Sequence, residues 1–222
     1  MEMTTHMNLR SDKLQLLPIV VTIAIIFVFW QWYFHTVDNE WLVNNMIASQ
    51  VVQDDLGEQE AELLKGIISP GFLKFSTITG ELGGLAITLV LLSAYVTLFT
   101  RFKLPKHQQL GMVSSINITA KGSLFVAGVH LLHALYVFFS PENKVNLYQV
   151  DFLALNNLGL MLSPDSPFYT VANAVSMNSL LFIGCCALLL HKKIKLSMEG
   201  AVLVYAAPYV AMWFLMCISA VI

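Results

Sequence analysis

Two histidines three residues apart, His130 and His133, interrupt an otherwise uncharged apolar stretch from Gly122 to Ser140. That spacing places both imidazoles on one face of a helix. Ionisable side chains inside an apolar span turn toward protein or water rather than lipid. A pair of this kind can pass a proton or supply two ligands to zinc or copper. Two ligands do not complete a site, and no Glu, Asp or His is expected inside another span, so neither a metal nor another cofactor is expected. Asn173 and Asn178 in the following apolar stretch complete a candidate intramembrane polar cluster with the histidines. The plainer reading has both rings hydrogen-bonded across helices to Ser176, Asn173, Asn178 or Tyr205. Cys185, Cys186 and Cys217 also fall in apolar stretches and read as small buried hydrophobes. The sequence contains no P-loop, G-x-S-x-G, H-E-x-x-H or paired intramembrane carboxylates. No catalytic residue is therefore assigned, and an enzyme is not expected.

The elements that must position these residues follow from composition. Of the 222 residues, 57% are hydrophobic and only 12% charged, about half the charge of a soluble domain. Together with a net charge of −2, this excludes a soluble fold, a disordered chain and a nucleic-acid binder. About 20 apolar residues in a helix cross the hydrocarbon of a bilayer. Five windows qualify, at 14–34, 82–100, 122–140, 168–190 and 200–222, none with an internal Asp, Glu, Lys or Arg. The expectation is an all-α, polytopic membrane protein: one membrane domain over 1–222, built as a bundle of five transmembrane helices. Gly80 and Gly84 form a G-x-x-x-G at the start of the second span, and with Gly184 they are the expected helix-packing positions, within the chain rather than between copies. Pro18 and Pro208 are expected to kink the first and fifth spans.

The connections set orientation. Nine Lys and Arg residues fall in the N-terminal tail and in the second and fourth connections, against three (Lys65, Lys74 and Lys144) on the other side. The excess predicts a cytoplasmic N-terminus and an external C-terminus. The first window is too long for a cleaved signal peptide and leaves through Trp30, Trp32 and Tyr33, an interfacial belt rather than a cleavage site. Segment 35–81 becomes an external amphipathic or acidic segment. Its apolar residues from Trp41 to Val52 suggest a helix on the outer surface or against the bundle that ends near Gly66 to Pro70, with a solvated acidic hairpin as the alternative. The stretch 150–162 is too short to cross and reads as an interfacial or re-entrant helix. Asn117, Ile118 and Thr119 spell a glycosylation sequon, which this orientation leaves on the cytoplasmic side.

The run from Phe152 to Leu162 (F-L-A-L-N-N-L-G-L-M-L), then Pro164, then Ser166 to Tyr169 leading into Ala172, Asn173 and Ala174, resembles bacterial members of the Yip family of Ypt-interacting membrane proteins. In that family a similar "N-L-G-L-L-x-P" loop precedes a fourth span that passes through a glycine, here Gly184, before a basic turn and a last helix. The resemblance covers about Ser69 to Ile222. It implies a five-span, non-enzymatic integral membrane protein of the bacterial cytoplasmic (inner) membrane. Some relatives accompany ABC-type exporters as accessory subunits. The D-L-Y-G-P motif tied to GTPase recruitment in eukaryotic relatives is absent here, so that partner is not expected.

The first functional expectation is therefore a non-enzymatic accessory or scaffolding protein, whose partners are the lipid bilayer and another membrane protein such as exporter subunits. The second is a small transporter or channel with a polar path near His130 and His133.

Overall fold

A computed structural model of the protein describes residues 13–54, 57–140 and 143–221. Five helices are long and apolar enough to cross a membrane. These are α1 (Leu16–Thr36), α4 (Pro70–Lys103), α5 (Met112–Phe139), α6 (Met177–Ile194) and α7 (Met198–Ser219), with α2 (Asn39–Asp54) and α3 (Glu58–Ile67) between the first two. The protein is an all-α, multi-pass membrane protein. Among the described residues no strand forms, and one isolated antiparallel bridge joins Ala154 to Ser176.

Helix α5 lies in the middle and packs against α1, α4 and α6, while α7 packs on α6. Gly122 lets α6 approach α5. A Cβ there would collide with Cys186 Sγ and stand 3.3 Å from Phe182. The α4–α5 contact is polar at its centre: Ser93 donates to Thr119 at 3.1 Å, Thr97 donates to Ser115 at 2.9 Å, and Thr100 accepts from the Leu110 N–H. Hydroxyls of this kind hold helices together where hydrophobicity gives no preference for protein over lipid.

Several boundaries differ from those expected. The third span begins at Met112 rather than Gly122, so Lys121, expected in the second connection, lies inside α5. The second span begins at Pro70 rather than Leu82, with Ser69 capping the Phe72 N–H, so Glu81 lies inside a continuous helix. At 34 residues α4 is about 50 Å long and overshoots a hydrocarbon layer of about 30 Å. The fourth span begins at Met177, because Ser176 caps the Ser179 N–H; the preceding residues form a separate short helix, Tyr169–Ala174. Segment 150–162 is not one helix but holds a π-turn at Asn156–Leu160. In 35–81, the expected helix ending near Gly66 to Pro70 is instead two, α2 ending at Asp54 and α3 at Ile67, and Leu42, Val43 and Ile47 of α2 are buried in the core rather than solvated. Pro18 stands in the first turn of α1, where its missing N–H breaks no hydrogen bond, whereas Pro208 lies within α7.

Two irregular turns interrupt the long helices. In α4, Thr88–Leu92 widens to a π-turn. In α5, Gly128 and Val129 tighten, with Val129 donating to the Val126 carbonyl and Leu132 to the Val129 carbonyl. The buried hydrophobic side chains fall into two clusters on either side of these turns. One comprises Ile26 to Val37, α2, Leu73, Ile78, Val137 and Val150. The other comprises Leu92, Val96, Ile118, Phe182 to Ile194, and Ala201 to Tyr205.

Candidate functional site: an ion pair beside an intramembrane cavity

His130 opens the part of α5 beyond the tightened turn, and its Nε2 lies 3.0 Å from Glu81 Oε1 on α4. The expectation that no acid in another span faces the histidines is thus corrected. Glu81 reads as a span boundary because a charge ends a hydropathy window, yet the helix runs through it. The Trp30 indole N–H on α1 donates to the other carboxylate oxygen, and Phe29 stands edge-on to the His130 ring at 4.8 Å between centroids. One helical turn further along, His133 Nε2 lies 3.7 Å from Asp151. That separation is an ion-pair distance but too long for a hydrogen bond, and the nitrogen has no other partner among the described residues. Asp151 accepts from Asn178 Nδ2 at 3.2 Å. Burial raises the Asp151 carboxyl above the ordinary aspartate range, against the Leu153 N–H and the Ser176 and Asn178 side chains, which lower it.

Three of the four residues of the expected polar cluster are thereby close together: His130, His133 and, through Asp151, Asn178. Asn173 turns back to the Tyr169 carbonyl within its own short helix. Glu81, Asp151 and Trp30 complete the group. No reading of spans alone could find Asp151, which reaches the histidines from the connection between α5 and α6. The signal for Glu81 is its position, directly after Gly80 and at the edge of an apolar run.

The Glu81–His130 pair lines a cavity of about 340 Å³. Its other polar walls are Thr22, Thr88, Ser123, Asn178 and Ser179. Thr22 Oγ1 and Asn178 Oδ1 are buried there without a hydrogen-bond partner among the described residues. Both irregular turns border this space, through Thr88 in α4 and Ala127 in α5. Bulges of this sort concentrate at functional sites, and in membrane proteins irregular backbone is tolerated where it lines a cavity. Among the described residues no three His, Cys, Asp or Glu side chains converge as a metal site.

The expected packing glycines stand differently. Nothing lies within 4 Å of a Cβ built on Gly80, Gly84 or Gly184, so the G-x-x-x-G face meets no helix of this chain, and Gly122 makes the close approach instead. Asn117 of the sequon is buried and committed: its Oδ1 accepts from the Gln15 N–H and its Nδ2 donates to the Lys13 carbonyl. No family model, curated protein or solved structure matches the chain.

Proposed function

We propose that the protein is a small proton-conducting transporter or channel in which Glu81 and His130 form the exchanging pair. The observation that carries this reading is the Glu81–His130 contact on the wall of a cavity between α1, α4, α5 and α6 that several polar side chains line. Ionisable groups inside membrane spans are costly, and intramembrane carboxylates and imidazoles serve as proton relays and transport sites. The pair has the required chemistry, since a proton can reside on either partner. Asp151 and His133 extend the line toward the connection between α5 and α6. On the opposite side, Thr88 at the cavity leads along α4 to Ser93, Thr97 and Thr100, whose hydroxyls meet Thr119, Ser115 and the Leu110 N–H. The unpaired Thr22 and Asn178 oxygens suit a small neutral polar solute or water in the cavity. With the lysine-rich end in the cytoplasm of a bacterial inner membrane, as the charge bias favours, Asp151 is the external entry.

The test is proton uptake into liposomes carrying the purified protein, driven by a valinomycin-clamped potassium potential and read with an internal pH dye. Wild type should acidify the lumen well above protein-free vesicles, and Glu81→Gln and the double variant His130→Leu, His133→Leu should abolish the excess. Uptake equal to that of protein-free vesicles would overturn the proposal.

A second reading, favoured by the uncovered glycine face, is the accessory role that the Yip resemblance implies, in which a partner's helix packs on Gly80, Gly84 and the neighbouring, equally uncovered Gly83. Purification in mild detergent from native membranes should then bring down a stoichiometric membrane protein, and Gly83→Leu should release it. A lone monodisperse protein in several detergents counts against it.

A further inference from the structure

The other end of the bundle holds a second concavity that the proton path does not use. Its volume is about 410 Å³, and it lies where the stretch before α1 crosses α5 and α6. Four lysines surround it: Lys13 from that stretch, Lys121 from α5, and Lys192 and Lys193 from α6. Among the described residues no Asp or Glu lines it, and Glu199, in the first turn of α7, is the one acid at this end of the bundle. Lys13, Lys121 and Lys192, like-charged side chains from three elements, repel one another, and an anion between them relieves that repulsion. The arrangement is held in place. Asn117 ties the Lys13–Gln15 backbone to α5 by two hydrogen bonds, at 2.8 Å to the Gln15 N–H and 3.0 Å to the Lys13 carbonyl, so Lys13 is anchored beside the pocket. Ile118 and Leu189 add an apolar wall between the polar groups.

We propose that this pocket binds the headgroup of one anionic phospholipid, with the phosphate among Lys13, Lys121 and Lys192 and the glycerol end of the chains against Ile118 and Leu189. Lipid rather than free phosphate is favoured by that apolar wall and by the place of the pocket on the outer face of two membrane-spanning helices. Basic pockets between transmembrane helices hold anionic headgroups by the same combination of charge and apolar contact.

Native mass spectrometry of the full chain in non-ionic detergent, titrated with phosphatidylglycerol, phosphatidylcholine or inorganic phosphate, tests this. One phosphatidylglycerol should be retained at least tenfold more tightly than phosphatidylcholine, a factor of the size expected when several lysines act on one anionic headgroup. The triple variant Lys13→Gln, Lys121→Gln, Lys192→Gln should lose that preference, and Asn117→Ala should weaken it with every lysine still present. Arg101→Gln, Lys103→Gln, Lys106→Gln removes three charges from the same end but outside the pocket, and should keep the preference. Equal loss in the two triple variants would mean diffuse attraction to the surface and would overturn the site. So would the absence of any preference, or inorganic phosphate that binds stoichiometrically and blocks the lipid.

Discussion

Gly122 and Asp151 show how single residues set this bundle. Cys186 Sγ and the Phe182 ring fill the space that a side chain at 122 would need, so Gly122→Ala must displace α6 from α5. The expected cost is about 1–3 kcal/mol, the usual penalty for an overfilled core. It should appear as a lower Tm in detergent, and Cys186→Ala should restore much of the loss. Asp151 makes a prediction about pH. Its carboxyl titrates above the aspartate range in the fold and within it in the unfolded chain, so the ionised form is penalised by folding. That penalty is complete above the raised value and is relieved as pH falls through it toward the ordinary one. Asp151→Asn should therefore raise Tm at neutral pH and flatten the gain that wild type shows on mild acidification. At this scale the sequence revealed the histidines by their type and spacing. It could not reveal which glycine is filled from across the interface, because Gly80, Gly84 and Gly122 look alike until α6 is docked.

Helices were legible where apolar length alone decides them, and less so where a charge or a cap intervenes. The first and fifth spans lie within a few residues of the expected windows, since no charged residue interrupts either window. The second was cut short at Glu81, whose pairing with His130 and Trp30 lets the helix continue. The fourth was drawn too long, because apolarity continues through Val171 and Ala174 while Ser176, by capping the Ser179 N–H, starts a new helix. Helix α2 is anchored through Leu42, which is completely buried. Leu42→Ala should cost about 2–5 kcal/mol locally. Limited proteolysis should then cut near α2 and α3 sooner than in wild type, with the five long helices still protected.

For the molecule as a whole, the charge bias predicts which side each end faces. A cysteine at exposed Gln59 in α3 should react with an impermeant thiol reagent in intact cells, and one at Gln108, between α4 and α5, only after lysis. The reverse pattern would place Asp151 on the cytoplasmic side. The number of spans was readable from the sequence because hydropathy is additive along the chain. The cavity was not, because it exists only between helices distant in sequence. The division of the core into two clusters, with the π-turn of α4 and the tightened turn of α5 at the boundary, has a mechanical consequence. Each half keeps its own packing, so the loss of one need not carry the other with it. Pulled from its C-terminus out of a bilayer by a force probe, the protein should give way in two main steps. The half containing α6 and α7 should rupture first, and the half built around α1 and α2 should hold to a separate, later peak.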